Sequence, residues 1–125
     1  MVALAAGAGF AIAIDTAVAR QLPHRRAATA ALGLVAAAAI YPLSRRRVGM
    51  DAREAVTLAA ACAVAAIAAR LPTGTARRLL GVGWAAHAMY DAVFTHDATI
   101  TRLPAWYAPL CAGADIAMGS RLILA

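Results

Sequence analysis

Gly83-Trp84-Ala85-Ala86-His87-Ala88-Met89-Tyr90-Asp91 and Cys111-Ala112-Gly113-Ala114-Asp115 are the two stretches whose reading decides the fold. Each lies inside an apolar run long enough to cross a bilayer, and each puts ionisable groups within that run. At the bilayer centre a charged side chain costs about 2.5–3.5 kcal/mol on insertion scales, so such groups face a protein interior or a cavity. Together the stretches predict an all-α, polytopic transmembrane helix bundle with a buried polar site between its last two helices.

Composition points the same way. The 125 residues are 63% hydrophobic and only 14% charged, whereas soluble domains run near half apolar. The formal net charge is +6, and all 12 basic residues are Arg. They cluster between the apolar runs: Arg20, Arg25 and Arg26; Arg45, Arg46, Arg47 and Arg53; Arg70, Arg77 and Arg78. That is the pattern of charge flanking membrane segments, with the lipid bilayer as partner. It argues against nucleic acid, because no soluble basic domain carries the charge and no aromatics are interleaved with it. The Ala- and Arg-rich composition is that of a GC-rich genome, and the expected location is a bacterial inner membrane, crossed several times. Cys62 and Cys111 both fall in predicted helices, which argues against a disulfide framework.

Outward from the two stretches, the sequence divides into one integral membrane domain over 1–125, with helices at 2–19, 27–43, 53–71, 77–96 and 105–124. An odd count leaves four helices as the alternative. The first run carries a signal-like Ala17-Val18-Ala19 but lacks a basic start and holds Asp15 near its end, so a retained helix is expected. Asp15 either pairs with Arg20 or a nearby loop arginine, or adds a third element to the polar site. Tyr41-Pro42 reads as an interfacial anchor and helix stop, Asp51 with Glu54 as a capping box, and Pro72-Thr73-Gly74 as a break. Trp106 and Tyr107 fit an aromatic belt, and Arg121 fits a side chain reaching for the interface. Loop arginines number six on one side and five on the other, which leans towards an outside N-terminus and a cytoplasmic C-terminus.

Trp84, His87 and Asp91 share one helical face by their i, i+3, i+7 spacing, as do Cys111, Asp115 and Met118 on the next helix. An antiparallel hairpin turning near Thr101 would set His87 level with Asp115 and Asp91 level with Cys111, about 10–15 Å from the loop. His96 and Asp97 would then stand at the mouth, with Trp84 and Tyr90 as further groups able to touch a substrate. Three chemistries fit this set. His87, Asp91, Cys111 and Asp115 could ligate a divalent metal such as Zn²⁺, with Mn²⁺ or Fe²⁺ as other fits, and activate water for hydrolysis. His87, Asp91 and Asp115 could instead be catalytic acid and base without metal, on a lipid-like substrate or in proton-coupled transport. Or the groups could satisfy one another and fix helix register. A chain this short would need a second copy of itself to enclose a transport pathway.

Gly83-Trp84-x-x-His87-x-x-Tyr90-Asp91, followed by His96, Pro104, Pro109, Cys111 and Asp115-Ile116-Ala117, resembles a family of small integral membrane proteins known as domain of unknown function 6010. The resemblance covers residues 80–124. Tyr90 stands where that family usually has Trp, and Asp97 where it has the second of two His residues. The resemblance implies a polytopic membrane protein and no particular reaction.

Overall fold

The computed structural model describes residues 1–125 as five helices, α1 (Val2–Gln21), α2 (Arg26–Leu43), α3 (Ala52–Ala68), α4 (Thr73–Val93) and α5 (Tyr107–Leu124), with a 3₁₀ turn at Pro23–Arg25. At 1.5 Å per residue they are about 25–32 Å long. By length and composition, two segments, Val2–Gln21 and Pro23–Leu43, can cross a membrane. The sequence reading expected five such spans. α3 is only 17 residues long. α4 and α5 carry His87, Asp91, Asp115 and several arginines, which lower their average apolarity.

The helix ends follow local chemistry and move several expected boundaries. Asp51 and Glu54 form the capping box: Glu54 N–H donates to Asp51 Oδ1 at 2.8 Å, and Asp51 N–H to Glu54 Oε2 at 3.0 Å. α3 ends at Ala68 rather than 71, because Arg70 and Leu71 close 3₁₀-type bonds to Ile67 and Ala68. α4 begins at Thr73 rather than 77, directly after Pro72, whose fixed φ pre-organises the first turn. It also ends early, at Val93 rather than 96, where Phe94 turns extended. Asp97 then holds a tight turn by accepting the Thr99 N–H at 2.8 Å and its hydroxyl at 2.6 Å. α5 starts at Tyr107 rather than 105, after a turn closed by Tyr107 N–H and the Pro104 carbonyl.

Successive helices run in alternating directions, so α1 and α5 lie parallel. Leu4 meets Gly113, Gly7 meets Leu110 and Ala114, and Asp15 meets Arg121. The approach is so close that a Cβ on Gly7 would collide with the Leu110 carbonyl, and one on Gly113 with the Leu4 carbonyl. Between antiparallel α4 and α5, Gly81 and Gly119 face each other in the same manner. Small residues let the backbones approach and gain dispersion contacts.

One end of the bundle gathers Met1, the α2–α3 loop and the α4–α5 loop. These loops are tied together: Arg46 N–H donates to Ile100 O and Arg102 N–H to Ser44 O, both at 2.8 Å. Arg45 in turn binds Glu54 at 2.7 Å and Asp51 at 3.1 Å, fixing the first loop to α3. The opposite end carries the α1–α2 and α3–α4 turns and the C-terminus.

The bundle buries a small apolar core and several acids while leaving large apolar side chains on its flanks. Leu34, Leu80, Leu122 and Trp84 centre a small core filled out by alanines. Beside them, Asp15, Glu54, His87, Asp91 and Asp115 are also buried. Meanwhile Phe10, Leu32, Val56, Val82, Met89 and Ile116 are each more than half exposed.

Candidate functional site

His87 and Asp91 sit one turn apart on the inward face of α4, and Asp115 faces them from α5. His87 Nδ1 lies 2.6 Å from Asp115 Oδ2 and 3.7 Å from Asp91 Oδ2. The expected level pairing of His87 with Asp115 is thus present. With Asp115 ionised, the imidazole proton lies on Nδ1 and is donated to it, which leaves a lone pair on Nε2. Nε2 and Asp91 Oδ2 are both buried and have no hydrogen-bond partner.

The register that pairs His87 with Asp115 also sets Asp91 level with Cys111, but the hydrogen bond to Asp91 comes from a third helix. Asp91 Oδ1 accepts a short hydrogen bond from the hydroxyl of Tyr41 on α2. Tyr41 is only 2% exposed, so it is a member of the site and not the interfacial anchor its place near the helix end suggested. Ligand atoms of His87, Asp91 and Asp115 all lie within 4.8 Å of one another, and Cys111 stands outside that group as a half-buried free thiol. Only knowing that α2 and α4 run parallel at a fixed offset could have found Tyr41; no local spacing contains that offset.

An aromatic layer closes the site towards the looped end. The Tyr41 ring packs at 4.7 Å from Phe94 and 4.9 Å from Tyr90, with Tyr107 at 6.0 Å. Above this layer is a vestibule of about 170 Å³, walled by Arg45, Arg53, Glu54 and Asp97. Asp97 therefore stands at the mouth as expected; the two bonds from Thr99 hold its carboxyl below the usual carboxylate range. His96 does not join it. Its Nε2 is 2.9 Å from the Leu103 carbonyl in an exposed loop contact, which makes it a brace for the α4–α5 connection.

Below the layer, a second cavity of about 230 Å³ runs between α3 and α4, lined by Leu34, Val56, Ala60, Val64, His87 and Tyr90 among others. His87 is its strongest acid/base group. Trp84 lies elsewhere: its indole N–H donates to the Ala30 carbonyl at 3.0 Å, and its ring packs in the core.

Asp15 takes no part in this site. It lies towards the other end of the bundle, held by Arg26 Nε and Nη2 at 2.8 and 2.7 Å and by Arg121 Nε at 2.7 Å. Arg121, expected to reach for the interface, turns back onto α1 and also binds the Thr16 hydroxyl at 3.0 Å.

Comparison with protein-family models, with curated proteins and with solved structures returns no match for this chain. The chemistry of the site therefore rests on its own geometry.

Proposed function

We propose that the chain is a multi-pass protein of a bacterial inner membrane in which His87 is the acid/base centre for a lipid-like substrate entering between α3 and α4. The observation that carries this reading is the 2.6 Å contact of Asp115 with His87 Nδ1, beside an Nε2 that is buried without a partner on a residue lining an apolar cavity. Asp115 orients the ring and would stabilise the imidazolium once Nε2 takes a proton, the role a carboxylate plays behind a catalytic histidine. The burial pattern supports membrane placement, because large apolar side chains cover the flanks and several acids lie inside beside the apolar core. The alternating helix directions fit five crossings. Arg20, Arg25, Arg26, Arg70, Arg77, Arg78 and Arg121 gather at the end that holds the C-terminus, against Arg45, Arg46, Arg47, Arg53 and Arg102 at the other, a margin that favours the first end as the cytoplasmic one.

Lipid extracts of cells producing the wild type, His87→Gln and Asp115→Asn test the reading by mass spectrometry. The expected result is a lipid species whose level shifts with wild type and with neither variant. A shift that survives His87→Gln would overturn it.

A second reading has its own support. The convergence of three ligand atoms within 4.8 Å, with Asp91 Oδ2 unpartnered, suits a divalent cation such as Zn²⁺, Mn²⁺ or Fe²⁺. In that case Nδ1 binds the ion, and the two carboxylates neutralise it. Elemental analysis of the purified protein separates the readings: near-stoichiometric metal lost in both His87→Ala and Asp115→Asn supports the metal centre, and metal-free folded protein leaves the acid/base centre.

A further inference from the structure

The Asp15 cluster is not a simple ion pair. Two guanidinium groups converge on one carboxylate, leaving one positive charge in excess at a point where Asp15 itself is 3% exposed. Arg26 uses Nε and Nη2 on Asp15, so its Nη1 is not engaged there. Directly beside it opens a cavity of about 190 Å³ between α1 and α2, with Asp15 and Arg26 at one end. The rest of its lining is mostly apolar, including Phe10, Ile14, Val18 and Met118, and Trp84 and Gly33 form part of its floor. A Cβ on Gly33 would press to 3.0 Å from the Trp84 ring, so glycine keeps this floor clear. From Val18 to Phe10 the groove follows α1 for about 12 Å.

An apolar groove ending at a cluster with one positive charge in excess is complementary to an amphiphile with a negative head. We propose that this groove is a binding site for one anionic phospholipid, its acyl chain lying along Phe10, Ile14 and Val18 and its phosphate on Arg26. The proposal rests on the membrane placement argued above and is independent of the His87 site. Arginine recognises phosphate through paired N–H donors, and basic groups near a membrane surface favour anionic over zwitterionic headgroups.

Trp84 reports on the site. With Trp106→Phe it becomes the sole tryptophan, since the chain has 2. The protein is reconstituted into mixed phosphatidylglycerol and phosphatidylcholine, with one or the other brominated on its acyl chains. The expected result is quenching of Trp84 that gives phosphatidylglycerol about a fivefold higher relative binding constant. Arg26→Gln should bring the ratio to one, Arg26→Lys should keep most of it, and Arg102→Gln at the opposite end should leave it unchanged. Brominated fatty acid competing at equal mole fraction distinguishes a bare carboxylate from a lipid headgroup. Equal quenching by the two phospholipids, a preference that survives Arg26→Gln, or fatty acid displacing the phospholipid overturns the proposal. Absence of quenching by any brominated lipid overturns the membrane placement itself.

Discussion

Tyr41→Phe removes a single oxygen, and the structure gives it a definite cost. The Tyr41 hydroxyl is the hydrogen-bond donor to Asp91, whose side chain is 0% exposed and whose other oxygen has no partner. Without the hydroxyl, neither carboxylate oxygen is hydrogen-bonded in a site that water does not reach. A hydrogen bond to a charged group contributes about 1.5–3 kcal/mol net, whereas interhelical bonds inside membrane bundles average about 0.6 kcal/mol. A double-mutant cycle of Tyr41→Phe with Asp91→Ala, read by unfolding in mixed micelles with a denaturing detergent, isolates the pairwise value. The expected coupling is at least 1.5 kcal/mol, with Tyr41→Phe alone leaving the helical content intact. A coupling of about 0.6 kcal/mol or less would refute the argument that Tyr41 is the principal support of the buried Asp91 carboxyl.

Gly113→Ala should weaken the bundle by about 1–3 kcal/mol through overlap with the Leu4 carbonyl. Gly9→Ala, with nothing within 4 Å, should stabilise α1 by roughly 0.5–1 kcal/mol in the same unfolding assay. Asp15→Asn strands two arginines at one point and should cost about 3 kcal/mol, at the low end for a broken buried pair because Arg121 is 35% exposed. Asp15→Asn combined with Arg121→Gln should recover part of that loss; no recovery would show that the two groups are not coupled. For Asp97 the folded state holds the acid below its usual value, so the turn is stabilised above that value and loosens as pH falls through the lowered one. Hydrogen exchange at the Thr99 amide should therefore stay protected across the ordinary carboxylate range and speed up only beneath it.

Much of the helical plan was legible because it rests on local signals. The Asp51–Glu54 capping box, the Pro72 break and the inward face shared by His87 and Asp91 are all periodicities or caps within a few residues. The pairing of His87 with Asp115 was also readable, since adjacent antiparallel helices keep a nearly constant sum of residue numbers across their turn. What escaped were contacts between helices that are not neighbours in the chain. Tyr41 reaches Asp91 across 50 residues, and Arg121 reaches Asp15 across 106. Both residues sit near helix ends, where aromatic and basic side chains ordinarily serve the membrane interface. Cys111 was read into the site by its i, i+4 spacing from Asp115; it lies outside the close group of ligand atoms, and the hydrogen bond to Asp91 comes from Tyr41.

The parallel seating of α1 on α5 also dictates an order of assembly. α1 makes its closest backbone contact, Gly7 against Leu110 and Leu4 against Gly113, with α5, which is synthesised after α2, α3 and α4. Until α5 is made, that face of α1 lacks its partner, and of the two arginines that hold Asp15 only Arg26 is present. Such a long-range closing contact is slow to form and carries a large share of the packing. A nascent chain arrested before residue 107 should therefore remain loosely associated and open to proteases, and should tighten only once α5 has joined.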